Sequence, residues 1–176
     1  EETCAGIVSA TSLPVDIMMS PMICNADVID RLVEAGIHGF AINIELFSGE
    51  PADSILGRKY RTTRPVFEEF VSRAVDRLGG NGRVRSLIIP GLEPISETLA
   101  GVEYLASLGC DPVLSPFRPA AGTRLDRRPP MSEADLITVL AESRSIASHF
   151  DVALGPRCAP CQHKTLTFPW DTDGSS

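Results

Sequence analysis

The sequence lacks the long apolar run and the basic surplus that mark two large classes of protein. No stretch reaches the roughly 20 apolar residues of a membrane-spanning helix, because Glu34, His38 and Glu45 interrupt the most apolar region. The net charge of −7 argues against a surface of clustered Lys and Arg of the kind that binds nucleic acid. We therefore expect a protein whose partners are neither nucleic acids nor membranes.

The chain also lacks a regular cysteine pattern. Its five cysteines are irregularly spaced, which does not make a disulfide framework and fits a reducing compartment. No segment resembles a secretory signal peptide. These features predict a cytoplasmic location.

What the chain does have is an alternation of strand-like and helix-like apolar patterns. Strands are predicted at 15–19, 39–44, 84–89 and 112–115, and helices at 25–36, 65–78, 96–108 and 133–150. Strands that alternate with helices in this way form parallel sheets with right-handed crossovers. The sequence therefore predicts an α/β fold of about four strand–helix units, a partial parallel (β/α) barrel, since a complete barrel needs about 250 residues.

Three helix starts and three regions are predicted from local sequence. Asn25 is expected to cap the first of these helices, Thr63 the second with Pro65 in the first turn, and Ser132 the last through a capping box.

Residues 1–13 show no periodicity and are expected to be poorly structured. Residues 14–154 form the predicted barrel domain, and 155–176 form a C-terminal tail.

Polar residues stand where predicted strands end and helices begin. Asn43 and Glu45 close one strand, Arg64 opens the next helix, and Ser115 closes a later strand. Such positions lie on the ligand-binding rim of an α/β barrel. Asn43 and Glu45, two apart on a strand, are expected to share a face, and Arg64 can hold a carboxylate with two hydrogen bonds. Taken singly, each of these residues is also compatible with an internal hydrogen bond or a solvated position.

In order and spacing these residues resemble the radical S-adenosylmethionine (SAM) enzymes, nearest the biotin synthase type. Asn43 and Glu45 match that family's Asn-x-Asp/Glu strand end, and Thr62-Thr63-Arg64 matches a helix start whose Arg holds the methionine carboxylate of SAM. Gly91-Leu92 matches the turn beside the adenine, although here Glu93 follows directly where the family often has a second glycine.

A later segment extends the resemblance. Ser115 ends the strand that leads into Gly122-Thr123-Arg124-Leu125, which is similar to the family's Gly-Thr-x-Leu segment. The resemblance thus implies a SAM site formed by the following residues: Asn43, Glu45, Arg64, Gly91, Leu92 and Ser115. Glu93 is interpreted as a helix-start acid.

The family's Cys-x3-Cys-x2-Cys loop, whose thiolates bind a [4Fe-4S] cluster, has no counterpart in this chain. We therefore expect a C-terminal part of the barrel, inactive alone, whose cluster ligands lie upstream. The resemblance implies generation of a 5′-deoxyadenosyl radical, hydrogen abstraction from a small-molecule substrate, and an electron donor such as flavodoxin or ferredoxin.

The tail carries a second candidate site. Cys158, Cys161 and His163 place three potential ligands on one tight turn, which predicts a metal or second cluster. A strand-like segment at 152–154 would bring this turn to the rim. A Pro-rich turn with free thiols explains the same residues, and two alternative functions remain: a metal-binding or scaffold domain, and an ordinary α/β-barrel lyase.

Overall fold

The computed structural model describes residues 1–21, 24–48, 55, 64–80 and 82–167 of the chain. Within these ranges four strands form one sheet in the order β1-β2-β3-β4, and every neighbouring pair is parallel. The strands are β1 (Asp16–Met19), β2 (Gly39–Ile42), β3 (Val84–Ile88) and β4 (Asp111–Leu114). The predicted parallel sheet of four strands is confirmed.

Helices alternate with these strands. They are α1 (Glu2–Ala10), α2 (Asp27–Glu34), α3 (Arg64–Leu78), α4 (Ile95–Ser107), α5 (Glu133–His149) and α6 (Ala159–Gln162). The ends of α3, α4 and α5 agree with the predicted ends to within one residue. Among the described residues, no helix is both long enough and apolar enough to cross a membrane.

One face of the sheet packs against the helices and forms the main core. Phe40 of β2 and Val84 and Ile88 of β3 are fully buried there, together with Phe70 of α3 and Leu105 of α4. Burying a side chain of this size contributes about 1.5–3 kcal/mol. The period of two along β3 explains why Val84 and Ile88 share this face.

The opposite face of the sheet, which we call the second face, is more polar. The register places Ala41, Arg85 and Asp111 side by side on β2, β3 and β4. Asp16 of β1 accepts a hydrogen bond from Arg85 Nη1 at 2.7 Å. Asp111 is only 1% exposed, so this face holds a buried carboxylate as well as an ion pair.

The expectation that residues 1–13 are poorly structured is wrong for Glu2–Ala10, which form α1. Cys4 and Val8 pack against the main core, and Glu1 accepts a hydrogen bond from Arg31 at 2.8 Å. The small, mostly exposed side chains of this segment give no clear apolar stripe, and its contacts with the later helix are what hold it. The predicted domain boundaries stay predictions.

Local capping is partly as predicted. Ser132 caps α5, because its Oγ accepts from the Asp135 backbone N–H at 3.1 Å. The prediction for Asn25 is wrong, since Ala26 is the N-cap of α2 and the Asn25 amide donates to the Asp27 carboxylate at 3.2 Å. Thr63 lies outside the described residues.

Candidate functional site

The carboxyl ends of β2, β3 and β4 lie together at one end of the sheet. We call this end the rim and define it by Glu45, Ile88, Ile89 and Ser115. The Glu45 N–H donates to the Leu87 carbonyl at 2.8 Å, and the Glu45 carbonyl accepts from the Ile89 N–H at 2.8 Å. The Ser115 N–H donates to the Ile88 carbonyl at 3.0 Å. Two of the predicted site residues, Glu45 and Ser115, therefore lie on the two sides of the carboxyl end of β3.

The pairing of β2 with β3 changes register just below this rim. Ala41 pairs with Arg85, whereas Glu45 pairs with Ile88. The segment that continues β2 therefore has one residue more between these two pairs than β3 has, which is the arrangement of a β-bulge. Bulges alter the direction of nearby side chains, and Asn43 and Glu45 lie within this one and at its end.

Side chains complete the hydrogen bonding across the bulge. The Ile44 N–H donates to Ser86 Oγ at 2.9 Å, and the Leu87 N–H donates to Asn43 Oδ1 at 3.2 Å. The Asn43 amide nitrogen contacts Met18 Sδ at 3.7 Å. Asn43 thus replaces a backbone carbonyl in the sheet, and its role as a SAM ligand stays a prediction.

Glu45 adopts a backbone conformation that is unusual for its residue type. Its φ is 66°, in the left-handed region where a residue with a Cβ is strained by about 1–3 kcal/mol. Because β2 ends at Ile42 and the bulge follows, strand alternation does not extend to Asn43 and Glu45. The two-residue spacing therefore does not establish the shared face that the sequence predicted for them.

Arg64 contacts aromatic residues and a backbone carbonyl. Its Nη2 donates to the Phe47 carbonyl at 2.8 Å, and its guanidinium carbon lies 4.0 Å from the Phe47 ring centroid and 5.2 Å from that of Tyr104. The same side chain lines an open surface groove of about 410 Å³ together with Glu68 and Glu69. The acidic lining disfavours an anion in that groove.

The predicted grip of Arg64 on a carboxylate stays a prediction. Thr62 and Thr63, the rest of its motif, lie outside the described residues. Arg64 begins α3 and Pro65 follows in the first helical turn, where a missing N–H is tolerated. Stacking on aromatic rings contributes about 0.5–1 kcal/mol at such exposed sites, so Arg64 has a structural role as well.

The Gly91-Leu92 turn follows β3. Gly91 has a φ of 99°, a conformation that strains any residue with a Cβ, although an added Cβ would meet Met131 and Phe117 only at ordinary contact distance, 3.5 Å. Leu92 is buried and packs with Leu46 in a small second core. The glycine therefore shapes the turn, and the leucine side chain serves packing.

Glu93 is a residue whose role the sequence did not reveal. It is 6% exposed, and its Oε2 accepts from the backbone N–H groups of Phe47 and Ser48, both at 2.9 Å. Its Oε1 accepts from the Thr98 hydroxyl at 3.5 Å. The carboxylate thereby joins the loop after β2 to the start of α4.

The environment of Glu93 raises its pKa above the ordinary value for a glutamate. Burial is the main cause, since it disfavours the charged form. The two backbone N–H groups oppose this effect, and the nearby Glu97 adds to it. The sequence around an acidic residue before a helix does not show whether its carboxylate is buried. The one signal for Glu93 is its place directly after Gly91-Leu92, where the family often has a second glycine.

The hydroxyl of Ser115 is bonded to the C-terminal tail. Its Oγ donates to the Lys164 carbonyl at 3.2 Å. The Leu166 N–H donates to the Leu114 carbonyl at 2.9 Å. The tail therefore contacts the rim at Lys164, and the part played by Ser115 in SAM binding stays a prediction.

The segment at 152–154 is not the strand that the sequence predicted. Gly155 forms a single bridge with Val113, and its N–H donates to the Pro112 carbonyl at 2.8 Å. Arg157 then pairs with Asp111 at 3.5 Å and packs against Gly82, at the amino ends of β4 and β3. The tail thus runs from the amino end of the sheet to the rim, and only its later part, at Lys164, lies where the prediction placed the turn.

The predicted three-ligand metal site is not assembled. Among the described residues, no three His, Cys, Asp or Glu side chains lie close enough together to hold a metal ion. Cys158 is the N-cap of α6 and Cys161 lies within it, so their spacing puts them on one side of a helical turn. His163 follows Cys161 by two residues, about 200° further round, which explains why it does not join them.

Comparison with known proteins gives one kind of match. No family model matches the chain, and no curated protein matches it. Among solved structures, coproporphyrinogen III oxidase (HemN) from Escherichia coli, described as a radical SAM enzyme, superimposes with a TM-score of 0.60 at 15% identity. The chain is similar in fold to a radical SAM enzyme.

The match covers 85% of this chain and 36% of HemN, so the chain spans little more than a third of the length of that structure. At this identity the similarity is one of fold. It supports the predicted partial radical SAM barrel at the level of its parallel strand–helix units.

Proposed function

We propose that the rim binds SAM as part of the barrel of a radical SAM enzyme. The observation that carries the proposal is the left-handed backbone of Glu45 on the rim of a fold like that of HemN. Strained residues of this kind persist where the surrounding structure holds them and are concentrated at binding and catalytic sites.

The groups at the rim suit the chemistry of SAM. The Glu45 carboxylate can accept hydrogen bonds from the ammonium group of the methionine or from the ribose hydroxyls. Ile89 and Phe117 are only partly buried, and apolar side chains of this kind can face the adenine. Gly91 supplies the turn between them.

The residues present do not fit a [4Fe-4S] cluster. Cys110 is fully buried, and burial raises the pKa of its thiol. The other four cysteines do not gather either, because no three Cys, His, Asp or Glu side chains of the described residues lie close enough together to hold a metal. The proposed role of these residues is therefore limited to binding and orienting SAM, and we expect the chain alone to bind SAM without cleaving it.

The activity proposed for the complete enzyme rests on the resemblance to radical SAM enzymes. In radical SAM enzymes, SAM together with a [4Fe-4S] cluster supplies a 5′-deoxyadenosyl radical. We propose that the complete system acts in this way on a small-molecule substrate, in the manner of the biotin synthase type, with flavodoxin or ferredoxin as electron donor in the cytoplasm.

Calorimetric titration of the 176-residue chain with SAM tests the proposal. Glu45→Gln should weaken SAM binding at least about tenfold, equivalent to about 1.4 kcal/mol, because the carboxylate is lost while the side-chain shape is kept. Glu103→Gln, a change on the exposed face of α4, is the matched control and should bind like the wild type. The proposal fails if the wild type does not bind SAM or if Glu45→Gln binds equally well.

A glycine at the same position separates strain from binding. Glu45→Gly removes the left-handed strain and should keep the free energy of unfolding within about 1 kcal/mol of the wild type or raise it. It should nonetheless weaken SAM binding as much as Glu45→Gln does. Loss of stability without loss of affinity would indicate a purely structural role for Glu45.

Arg64→Ala tests the second predicted contact. We expect SAM binding to weaken by about 2–4 kcal/mol if Arg64 holds the methionine carboxylate with two charged hydrogen bonds. Arg64→Lys should restore binding only in part, because an ammonium lacks the planar fork of the guanidinium. Unchanged affinity in Arg64→Ala would restrict Arg64 to its contacts with Phe47 and Tyr104.

A further inference from the structure

Two cysteines of the tail lie side by side on one turn. Cys158 and Cys161 stand at the start of and within α6, and the Cys161 N–H donates to the Cys158 carbonyl at 2.9 Å. Both are exposed free thiols. Residues three apart on a helical turn face the same side, so the two sulfurs are neighbours.

The turn that carries these thiols is anchored on both sides. The Gln162 side chain is 8% exposed and donates to the Pro156 carbonyl at 3.2 Å. Before the turn, Gly155 bridges to Val113 of β4, and after it the Thr167 hydroxyl donates to the Gly155 carbonyl. The backbone therefore holds the pair at the surface in a fixed position.

The two sulfurs differ in their surroundings. The pKa of Cys161 is raised, chiefly because its thiol hydrogen-bonds to Cys158 and also because it is partly buried. A raised pKa makes Cys161 the sulfur that is less often deprotonated, and the thiolate is the nucleophile in disulfide exchange. Cys158 is thus the attacking sulfur and Cys161 the resolving one.

We propose that Cys158 and Cys161 form a thiol–disulfide exchange site that takes low-molecular-weight disulfides such as oxidised glutathione. The Cys158 thiolate attacks one sulfur of the disulfide, which breaks that S–S bond and releases the first glutathione. Cys161 then loses its proton and attacks Cys158 Sγ, which releases the second glutathione. Two protein thiols are oxidised to one disulfide while one glutathione disulfide is reduced to two thiols.

This assignment does not depend on SAM binding at the rim. The other cysteines provide the contrast within the same chain. Cys110 is fully buried, with a pKa raised by burial, and Cys4 and Cys24 are half-buried members of the main core. Among the five cysteines, all of which lie in the described residues, only Cys158 and Cys161 are exposed, and their two sulfurs are neighbours.

The test is a redox titration of the reduced 176-residue chain in glutathione buffers, followed by alkylation, trypsin digestion and mass spectrometry. Arg157 and Lys164 direct cleavage so that residues 158–164 form one peptide with both tail cysteines, and residues 1–31 form another with Cys4 and Cys24. We expect peptide 158–164 to appear two hydrogens lighter at glutathione ratios that leave peptide 1–31 doubly alkylated.

Single variants identify the order of the two steps. In Cys161→Ser the mixed disulfide cannot resolve, so Cys158 should accumulate one glutathione adduct at close to the wild-type rate of oxidation. In Cys158→Ser the adduct on Cys161 should form more slowly. Glutathione on both tail cysteines of the wild type, or oxidation of the two peptides at the same ratio, would overturn the proposal. Protection of both thiols that is lifted by a chelator would overturn it as well, since a metal ion would then hold them.

Discussion

Replacement of Glu93 is expected to show how strongly one buried carboxylate holds the rim loops together. Its Oε2 accepts two backbone N–H groups at 2.9 Å, from Phe47 and Ser48. Hydrogen bonds to a charged acceptor contribute about 1.5–3 kcal/mol each, and a buried donor left without a partner costs about 1–3 kcal/mol. Relief of the buried charge offsets part of this loss. We therefore expect Glu93→Ala to lower the free energy of unfolding by about 2–4 kcal/mol.

An amide at this position separates the hydrogen bonds from the charge. Glu93→Gln keeps an acceptor oxygen and removes the buried negative charge, whose desolvation dominates the raised pKa of Glu93. We expect Glu93→Gln to lie within about 1 kcal/mol of the wild type at neutral pH. Glu103→Ala, on the exposed face of α4, is the control and should change the free energy of unfolding by less than about 0.5 kcal/mol.

The pH dependence gives the sign of the charge effect. Because the folded-state pKa of Glu93 is raised, the folded chain binds more protons than the unfolded chain between the ordinary glutamate value and the raised one. The stability of the wild type relative to Glu93→Gln should therefore be highest below this window and should fall as the pH rises through it.

Urea unfolding followed by circular dichroism measures both the loss of hydrogen bonds in Glu93→Ala and the pH dependence of the wild type relative to Glu93→Gln. The loss of unfolding free energy in Glu93→Ala corresponds to a fall of about 5–15 °C in melting temperature for a chain of this size. The reasoning is refuted if Glu93→Ala is as stable as Glu103→Ala, or if the wild type gains stability relative to Glu93→Gln as the pH rises.

Three further substitutions, the first with a matched control, test the packing, the capping and the second face. Gly101→Ala places a Cβ 2.9 Å from Phe47 Cβ and should lower the free energy of unfolding by about 1–3 kcal/mol. Its control, Gly6→Ala in α1, has open space around the added Cβ and should leave that free energy unchanged or raise it by up to about 1 kcal/mol. Thermal melts compare the two variants. Ser132→Ala should cost about 0.5–2 kcal/mol in urea unfolding, and no loss would contradict the observed cap. Asp111→Asn removes a carboxylate whose pKa is raised mainly by burial, so the wild type should lose stability relative to this variant as the pH rises above the ordinary aspartate range; the opposite trend in pH-dependent melts would contradict this.

The sheet and the helices around it could be predicted because their sequence patterns are local. Val84, Ser86 and Ile88 alternate with half-exposed neighbours along β3, as a strand with one core face requires. The N-terminal cap of α5 is formed by Ser132 and Asp135, which lie within one helical turn of each other. The helix α1 could not be predicted in the same way, because its position depends on contacts with residues far along the chain, such as Arg31.

The rim could be located from the sequence, whereas its internal contacts could not. Parallel strands bring their carboxyl ends to one edge, so Glu45 and Ser115 were expected on the same side of the sheet. The extra residue before Glu45 leaves no trace in an apolar run. The partners of Arg64 and Glu93, both at Phe47, lie 17 and 46 residues away, and no local pattern records contacts of that range.

The two edges of the described sheet are unequal, and this has a consequence for self-association. The tail hydrogen-bonds to the β4 edge through Gly155 and Leu166, while β1 has no strand partner beyond it among the described residues. An exposed strand edge is a template for pairing with another chain. Within the described part of the chain, β1 is therefore the strand whose backbone N–H and C=O groups are open to pairing, and we expect self-association of the 176-residue chain, where it occurs, to run through β1 and not through the tail-covered β4.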